Sequence, residues 1–166
     1  MTKRGPKVIE YNARFGDPET QSMLPLLTSD TDLCKILMAC VSGRLRDVEI
    51  KTRSGYACTV VVAAGGYPNP YTQGHTIELA PCPEGTLIFH AGTRRESGVL
   101  KTAGGRVFSV AAVRDTLNEA VKAAYEGVGL IKFDGMYYRK DIASRCLAGP
   151  ILPEDGEKKD TGCDVL

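Results

Sequence analysis

Residues 57–70 read ACTVVVAAGGYPNP, and this stretch decides the fold class. Residues 57–64 form a short run rich in β-branched side chains, which is typical of a strand, and the GGYPNP that follows is turn chemistry that ends it. Further segments of strand character come at hairpin spacing, separated by Gly- and Pro-rich turns: 76–79, 86–90, 99–102 and 106–113. This spacing predicts a mostly antiparallel sheet.

Helical patterns lie on both sides of the strand region. Apolar residues recur at helical spacing before it, which predicts an amphipathic helix with one buried face: Leu33, Ile36, Leu37, Cys40, Val41 and Leu45. We expect this stripe, and Met38 beside it, to be core. After the strands, Thr116 and Glu119 have the spacing of a capping box, and residues 117–128 carry the apolar stripe of a helix that should cover one sheet face. The predicted fold class is therefore α+β.

Composition excludes several classes of function. The 166 residues hold 21 Lys+Arg and 20 Asp+Glu, a net charge of +1, so the chain has no net positive field to hold nucleic acid. We find no apolar run of the ~20 residues that a membrane helix needs, and no signal-peptide core near the N-terminus. We therefore expect a cytosolic chain with no membrane partner. The six cysteines include no CxxC pair, so zinc spacing is absent and reduced thiols are expected.

The densest polar cluster lies in residues 10–19. The alternation of residues 7–12 predicts a strand, on which Glu10 and Asn12 point to the same side, about 6.6 Å apart along the axis. A carboxylate and an amide oxygen so placed suit a divalent cation on nucleotide phosphates. Arg14 offers a planar fork for a phosphate or carboxylate. Asp17 before Pro18 has the pattern of a helix cap, so a short helix is expected from 18 to 24. A solvated surface strand followed by a capped helix remains the alternative.

Three other places have chemistry that the sequence leaves open. His90 before a turn could reach an anion, or could pack and satisfy a backbone carbonyl. Residues 104–106, Gly-Gly-Arg, could form a backbone concavity for a phosphate, but we favour a tight hairpin turn. Arg139 and Asp141 are expected to form an ion pair or a cap before a final helical turn.

Residues 10–21, EYNARFGDPETQ, closely resemble the signature of the glycinamide ribonucleotide synthetases, also called phosphoribosylamine-glycine ligases, the ATP-grasp enzymes of purine biosynthesis. More stretches resemble the family in the same order: AAGGYP at 63–68, FHAGT at 89–93, GGRV at 104–107 and YRKDI at 138–142. The resemblance covers nearly all of residues 7–148. It implies that 1–50 end an ATP-grasp domain and that 51–148 form the family's C-terminal domain, a mostly antiparallel sheet with covering helices.

The resemblance also implies what surrounds this segment. Residues 149–166 are expected to be a linker to a following domain, because 158–166 look like the opening of an aminoimidazole ribonucleotide synthetase domain. That order resembles eukaryotic multifunctional purine enzymes. The adenine pocket and most of the ATP-grasp would precede residue 1 in the family, so the chain alone is expected to be inactive.

The family's reaction gives the expected partners and roles. ATP phosphorylates glycine, and the amine of 5-phosphoribosylamine attacks the acyl phosphate to form an amide. By resemblance, Glu10 and Asn12 bind Mg²⁺ or Mn²⁺ with the ATP phosphates, while Arg14 and Asp17 contact substrate. The remainder of the same polypeptide would complete the site. Two alternatives stand beside this interpretation: a non-catalytic docking or regulatory module that keeps the fold, and a piece of another ATP-grasp ligase such as a related purine carboxylase.

Overall fold

The computed structural model describes residues 5, 7, 8 and 11–148. Its helices are α1 (Glu19–Met23), α2 (Leu33–Val41), α3 (Leu117–Val128) and α4 (Ser144–Leu147), with 3-10 turns at Leu24–Leu26 and Leu45–Asp47. Its strands are β1 (Tyr56–Ala64), β2 (Glu78–Leu79), β3 (Thr86–His90), β4 (Thr93–Glu96), β5 (Val99–Thr102), β6 (Arg106–Arg114), β7 (Ile131–Lys132) and β8 (Met136–Tyr138). Among the described residues no helix is long and apolar enough to span a membrane.

The main sheet has four strands in the order β3-β6-β1-β8, and every pairing in it is antiparallel. Strands β2 and β7 form one small ribbon, and β4 and β5 form another. The predicted α+β class and the antiparallel sheet are both confirmed. The long central strands β1 and β6 hold most of the core because each is paired along both of its edges for part of its length.

Helix α3 covers one face of this sheet. Side chains of alternate positions on β1 and β6 meet the small residues of α3, in a core that contains Cys58, Val60, Val62, Phe108, Val110, Ala112, Ala120, Ala124 and Val128. The helix begins at a capping box, because the Thr116 hydroxyl accepts from the Glu119 amide at 3.3 Å and donates to the Glu119 carboxylate at 2.9 Å. The predicted helix over 117–128 is therefore confirmed at both ends.

The other face carries α1 and the residues that precede it. Ser22 Oγ lies 2.7 Å from Thr59 Oγ1, and Thr59 points away from α3 because its neighbours Cys58 and Val60 point toward it. Near the end of β1 the pairing shifts, so that Val62 faces Phe108 but Ala63 faces Arg106, which leaves Val107 as the extra residue of a β-bulge. Strict alternation from Phe108 would place Arg106 on the α3 side; the bulge places it on the α1 side.

Three sequence expectations fail or cannot be assessed in this fold. Residues 7, 8, 11 and 12 lie outside regular structure, and the chain bends at residues 13 and 14, so the strand predicted over 7–12 is wrong at these four positions. Glu10 lies outside the described residues. So do residues 149–166, and with them the predicted linker and the resemblance at 158–166.

Helix α2 forms where the apolar stripe predicted it, but the prediction that its apolar face is buried in the core is wrong. Met38 is 63% exposed, Val41 85% and Leu37 43%, and Ala39 is the one buried residue of the helix. Asp32 caps the helix by accepting from the amides of Cys34 and Lys35. Periodicity predicts that a helix has an apolar side; it does not supply the surface that covers that side.

Candidate functional site

The segment 11–18 is a loop that leads into α1, and two of its polar side chains lie at the surface. Asn12 and Arg14 are both exposed. Arg14 Nη1 donates to Asn12 Oδ1 at 2.8 Å and to the Phe15 carbonyl at 2.8 Å. The structure therefore brings together two of the predicted site residues. Glu10, the other half of the expected metal pair, is not among the described residues.

Asp17 is held by two hydrogen bonds and one ion pair. Its Oδ1 accepts from Gln21 Nε2 at 2.9 Å, its Oδ2 lies 3.2 Å from Arg106 Nη2, and its main-chain carbonyl accepts from Arg106 Nη1 at 2.8 Å. The capping role expected for Asp17 is wrong: Pro18 occupies the N-cap position and the cap has no side-chain hydrogen bond. A guanidinium can bond the carboxylate and the carbonyl together, and those bonds to a charged group are stronger than a cap to one amide. We call this arrangement the Asp17 anchor.

A groove of about 540 Å³ lies between α1 and strand β3, beside the anchor. Its walls are mostly apolar and are formed by Phe15, Gly16, Thr20, Gln21, Leu24, Pro25 and Phe89. Gln21 Oε1 is buried there with no hydrogen-bond partner among the described residues. The amide orientation is fixed from the other end, because its Nε2 must donate to the Asp17 carboxylate. The Gln21 side chain therefore lines the groove in one fixed orientation.

The residues around His90 hold a turn together. The His90 ring is exposed, its Nδ1 lies 3.0 Å from Thr93 Oγ1, and its edge contacts the Phe108 ring with centroids 4.9 Å apart. The expected bond from this histidine to a backbone carbonyl is wrong, since a hydroxyl takes that place. The nearby glycines allow close packing: a Cβ on Gly92 would lie 2.6 Å from Gly104 Cα.

The tight hairpin turn predicted at residues 104–106 is wrong, because Gly104 and Gly105 form a bend that connects β5, which pairs with β4, to β6 of the main sheet. Packing explains why these residues are glycines. A Cβ on Gly105 would lie 2.1 Å from the ring of Tyr67, so only glycine fits there. Arg106 turns its guanidinium toward Asp17. This leaves the phosphate concavity considered for residues 104–106 without its arginine.

Arg139 and Asp141 form the predicted ion pair. Arg139 Nε and Nη2 donate to the two carboxylate oxygens of Asp141 at 2.9 and 2.6 Å. The hydrogen bonds from Arg139 lower the pKa of Asp141 and those to Asp141 raise the pKa of Arg139. Both side chains are exposed, so the pair orders the chain before α4 rather than a buried site.

Cysteines and acidic groups form no metal centre in the part of the chain that the structure describes. No group of three or more His, Cys, Asp or Glu side chains there is placed to hold a metal ion. Cys58 is buried in the core, and burial raises the pKa of its thiol to about 11. The described cysteines, 34, 40, 58, 82 and 146, are free thiols, as the sequence predicted.

A family model described as "Phosphoribosylglycinamide synthetase, C domain" matches residues 57–145, more than half of the chain. The chain belongs to the phosphoribosylglycinamide synthetase family. The matched region begins in β1 and ends in α4, so the family's C domain is the main sheet with α3. The family predicted from residues 10–21 and from the four stretches between residues 63 and 142 is thus confirmed.

Curated relatives show the same kinship over a longer stretch. A bifunctional purine biosynthetic protein of Pichia angusta is 55% identical over 142 residues, which cover 84% of this chain and 18% of that protein. A phosphoribosylamine-glycine ligase of Chlorobaculum tepidum is 48% identical over 150 residues, covering 89% of this chain and 35% of that protein. The chain therefore spans about a third of the single-activity ligase and less than a fifth of the bifunctional protein.

A solved relative shares the fold. The crystal structure of phosphoribosylamine-glycine ligase from Thermotoga maritima is 37% identical to this chain and superposes with a TM-score of 0.65 over 85% of it, or 34% of that protein. The α+β architecture is therefore the C-terminal architecture of an ATP-grasp ligase. The boundary expected between residues 50 and 51 stays a prediction.

Sequence reasoning missed two residues of the candidate site. Arg106 lies 89 positions from Asp17, and the sequence predicts it at the start of a strand with no link to the signature. Gln21 belongs to the quoted signature but received no role, although its position four residues after Asp17, on the same side of a helical turn, was a usable signal.

Proposed function

We propose that this chain supplies the signature segment and the C domain of a phosphoribosylamine-glycine ligase, which joins glycine to 5-phosphoribosylamine with ATP in purine biosynthesis. One observation carries the proposal: the family signature is held against the C-domain sheet with Asn12 and Arg14 at the surface beside a groove. The remainder of the ligase polypeptide would supply the ATP pocket. A cytosolic location, and the absence of nucleic-acid and membrane partners, are parts of the same proposal.

The chemistry of the donor set fits a divalent cation. Asn12 is exposed, and its Oδ1, which accepts from Arg14 Nη1, is an amide oxygen. Amide and carboxylate oxygens are the ligands that Mg²⁺ takes in proteins. Asn12 and Glu10 would hold Mg²⁺ or Mn²⁺, and such an ion neutralises charge between ATP phosphates during transfer.

Arg14 and Asp17 receive different roles in this proposal. The exposed Arg14 guanidinium can bind a carboxylate or phosphate of the substrate through two parallel N–H bonds. Both oxygens of the Asp17 carboxylate are engaged by Gln21 and Arg106. Asp17 therefore fixes the shape of the loop that carries Arg14, and the substrate contact expected for Asp17 gives way to that role.

The test uses the full-length ligase polypeptide that contains these residues. Glycine- and ribosylamine-dependent release of ADP should fall at least ~100-fold in Glu10→Ala, the loss expected when transition-state charge stabilisation is removed. Glu126→Ala is the matched control, because that carboxylate is exposed on α3 and has only a weak pair with Lys122 at 3.9 Å. Near-normal turnover of Glu10→Ala at saturating Mg²⁺ would contradict the metal role.

The same preparation separates the ligase from a non-catalytic module. A ligase releases ADP only when glycine and 5-phosphoribosylamine are both present. A docking or regulatory module would keep the fold and release no ADP under any combination of substrates. The 166-residue chain alone should not turn over ATP, and robust turnover by it would refute the expectation that the ATP pocket is supplied by the rest of the polypeptide.

A further inference from the structure

We propose that Arg106 is a positioning residue of the ligase site: through the Asp17 anchor it fixes the signature loop to the C-domain sheet. The inference rests on the proposed function. It assigns the C domain a part in catalysis, because the arginine belongs to β6 while the loop that it holds carries Asn12 and Arg14.

The main chain of Arg106 is itself fixed. Its carbonyl accepts from the Gly92 amide at 2.8 Å, and the carbonyl of the preceding Gly105 accepts from the Ala64 amide at 2.8 Å. Gly92 also touches the main chain of Gly104, where a side chain would not fit. The bulge at Val107 then turns Arg106 to the face of the sheet on which α1 lies. The guanidinium therefore starts from a rigid base and points at the loop.

The guanidinium contacts the main chain of the loop as well as a charged side chain, so it favours one conformation of the loop. Nη1 donates to the main-chain carbonyl of Asp17 at 2.8 Å, and Nη2 forms an ion pair with the carboxylate of the same residue at 3.2 Å. A planar fork of two N–H donors fits this pair of acceptors in one orientation only. Gln21 donates to the remaining carboxylate oxygen, so the start of α1 is tied to the same point.

Partial burial makes this arrangement more than a surface ion pair. The Arg106 and Asp17 side chains are 38% and 33% exposed. One of the two contacts is a hydrogen bond to the main-chain carbonyl of Asp17. Arg14 follows Asn12 by two residues and precedes Asp17 by three. A loop released at Asp17 therefore lets both exposed groups shift, and a shift of ~1 Å at a reacting group can lower the rate ~100-fold.

The experiment compares Arg106→Met, Arg106→Lys and Asp17→Asn in the full-length ligase. We expect kcat of Arg106→Met to fall ~100-fold, while the KM for ATP changes by less than about threefold, since the adenine pocket lies elsewhere in the polypeptide. Arg106→Lys should recover part of kcat, because one ammonium can replace one of the two bonds. The double variant Arg106→Met/Asp17→Asn should be no slower than the slower single variant, since both changes break one unit.

Two further readouts separate positioning from general support of the fold. Amide hydrogen exchange of residues 14–23 should accelerate in Arg106→Met, while protection of α3 stays as in the unmodified protein. Arg95→Met is the control, because Arg95 is exposed on β4 and donates only to the Gly98 carbonyl of its own hairpin. It should change neither kcat nor exchange of the loop.

The outcomes distinguish the two proposals. An unmodified protein without ligase activity would make the proposed function wrong, and the positioning role with it. An active unmodified protein with Arg106→Met at the same kcat would make only the positioning role wrong. A loss of kcat that is accompanied by faster exchange throughout α3 would also overturn it, because the arginine would then be supporting the fold in general.

Discussion

Gly127 provides a prediction in which two opposing effects can be weighed. It is a buried residue of α3, and replacing a helical glycine by alanine ordinarily stabilises a helix by about 1 kcal/mol. Here a Cβ would lie 2.7 Å from Val110 Cγ1 and 2.8 Å from Thr86 Cγ2. Both neighbours are β-branched and buried, so neither can swing aside through χ1.

The packing penalty exceeds the gain in helix propensity. Forcing an extra methyl group into a close-packed core costs about 1–3 kcal/mol. Subtracting the propensity gain of about 1 kcal/mol leaves Gly127→Ala less stable by about 1 kcal/mol, which lowers Tm by about 2–4 °C for a chain of this size. The measurement is thermal and urea unfolding of the 166-residue chain, followed by circular dichroism.

Two controls test the reasoning behind the magnitude. Gly129 has a helical φ of −62° and is exposed, so Gly129→Ala should leave stability unchanged or raise it. In a Val110→Ala background the new methyl group gains room on one of its two sides, and the penalty of Gly127→Ala should shrink. A rise in Tm for Gly127→Ala, or an equal penalty in both backgrounds, would refute the claim that contact with β6 decides the sign.

Two more predictions concern the cap of α3 and the buried thiol. Thr116→Ala removes the hydroxyl that accepts from the Glu119 amide and should lower the free energy of unfolding by about 1 kcal/mol. Thr116→Ser keeps a hydroxyl and should recover most of that loss. Equal stability of the unmodified protein and both variants in urea would contradict the capping role. Cys58 is buried, and burial raises the pKa of its thiol from an ordinary value of 9.0 to about 11, so at pH 8 the thiol is both protonated and covered. Iodoacetamide should therefore label Cys34 and Cys40 in the folded chain and Cys58 only after unfolding. Detection of labelled Cys58 in folded samples by mass spectrometry would show the prediction to be wrong.

The elements that sequence predicts well are those whose signals are local. The predicted bounds of 86–90 and 99–102 are those of β3 and β5, and 117–128 are those of α3, because β-branched runs, turn residues and a capping box all lie within a few positions of one another. Strand β4 was missed because TRRE has no apolar alternation and is a strand only through its pairing with β5. Strands β7 and β8 were missed because two and three residues are too few to show an alternating pattern.

In the candidate site, too, the local signals were predictable and the long-range contact was not. The signature identified Asn12, Arg14 and Asp17, because a run of specific residues is a local signal. Its connection to the C domain was not predictable, since alternation along β6 assigns Arg106 to the wrong face and only the bulge corrects it. The exposed side of α2 was unpredictable as well, because a stripe of apolar residues carries no information on the surface that it meets.

Helix α2 also determines how the isolated chain behaves at high concentration. Its outward Leu37, Met38 and Val41 form an apolar strip on a molecule whose net charge is only +1. Surfaces of that kind favour non-specific association, and a charge near zero gives little mutual repulsion between molecules to oppose it. Helix α2 therefore contributes to the self-association of the chain in solution, while the resistance of each molecule to unfolding depends on the sheet and α3.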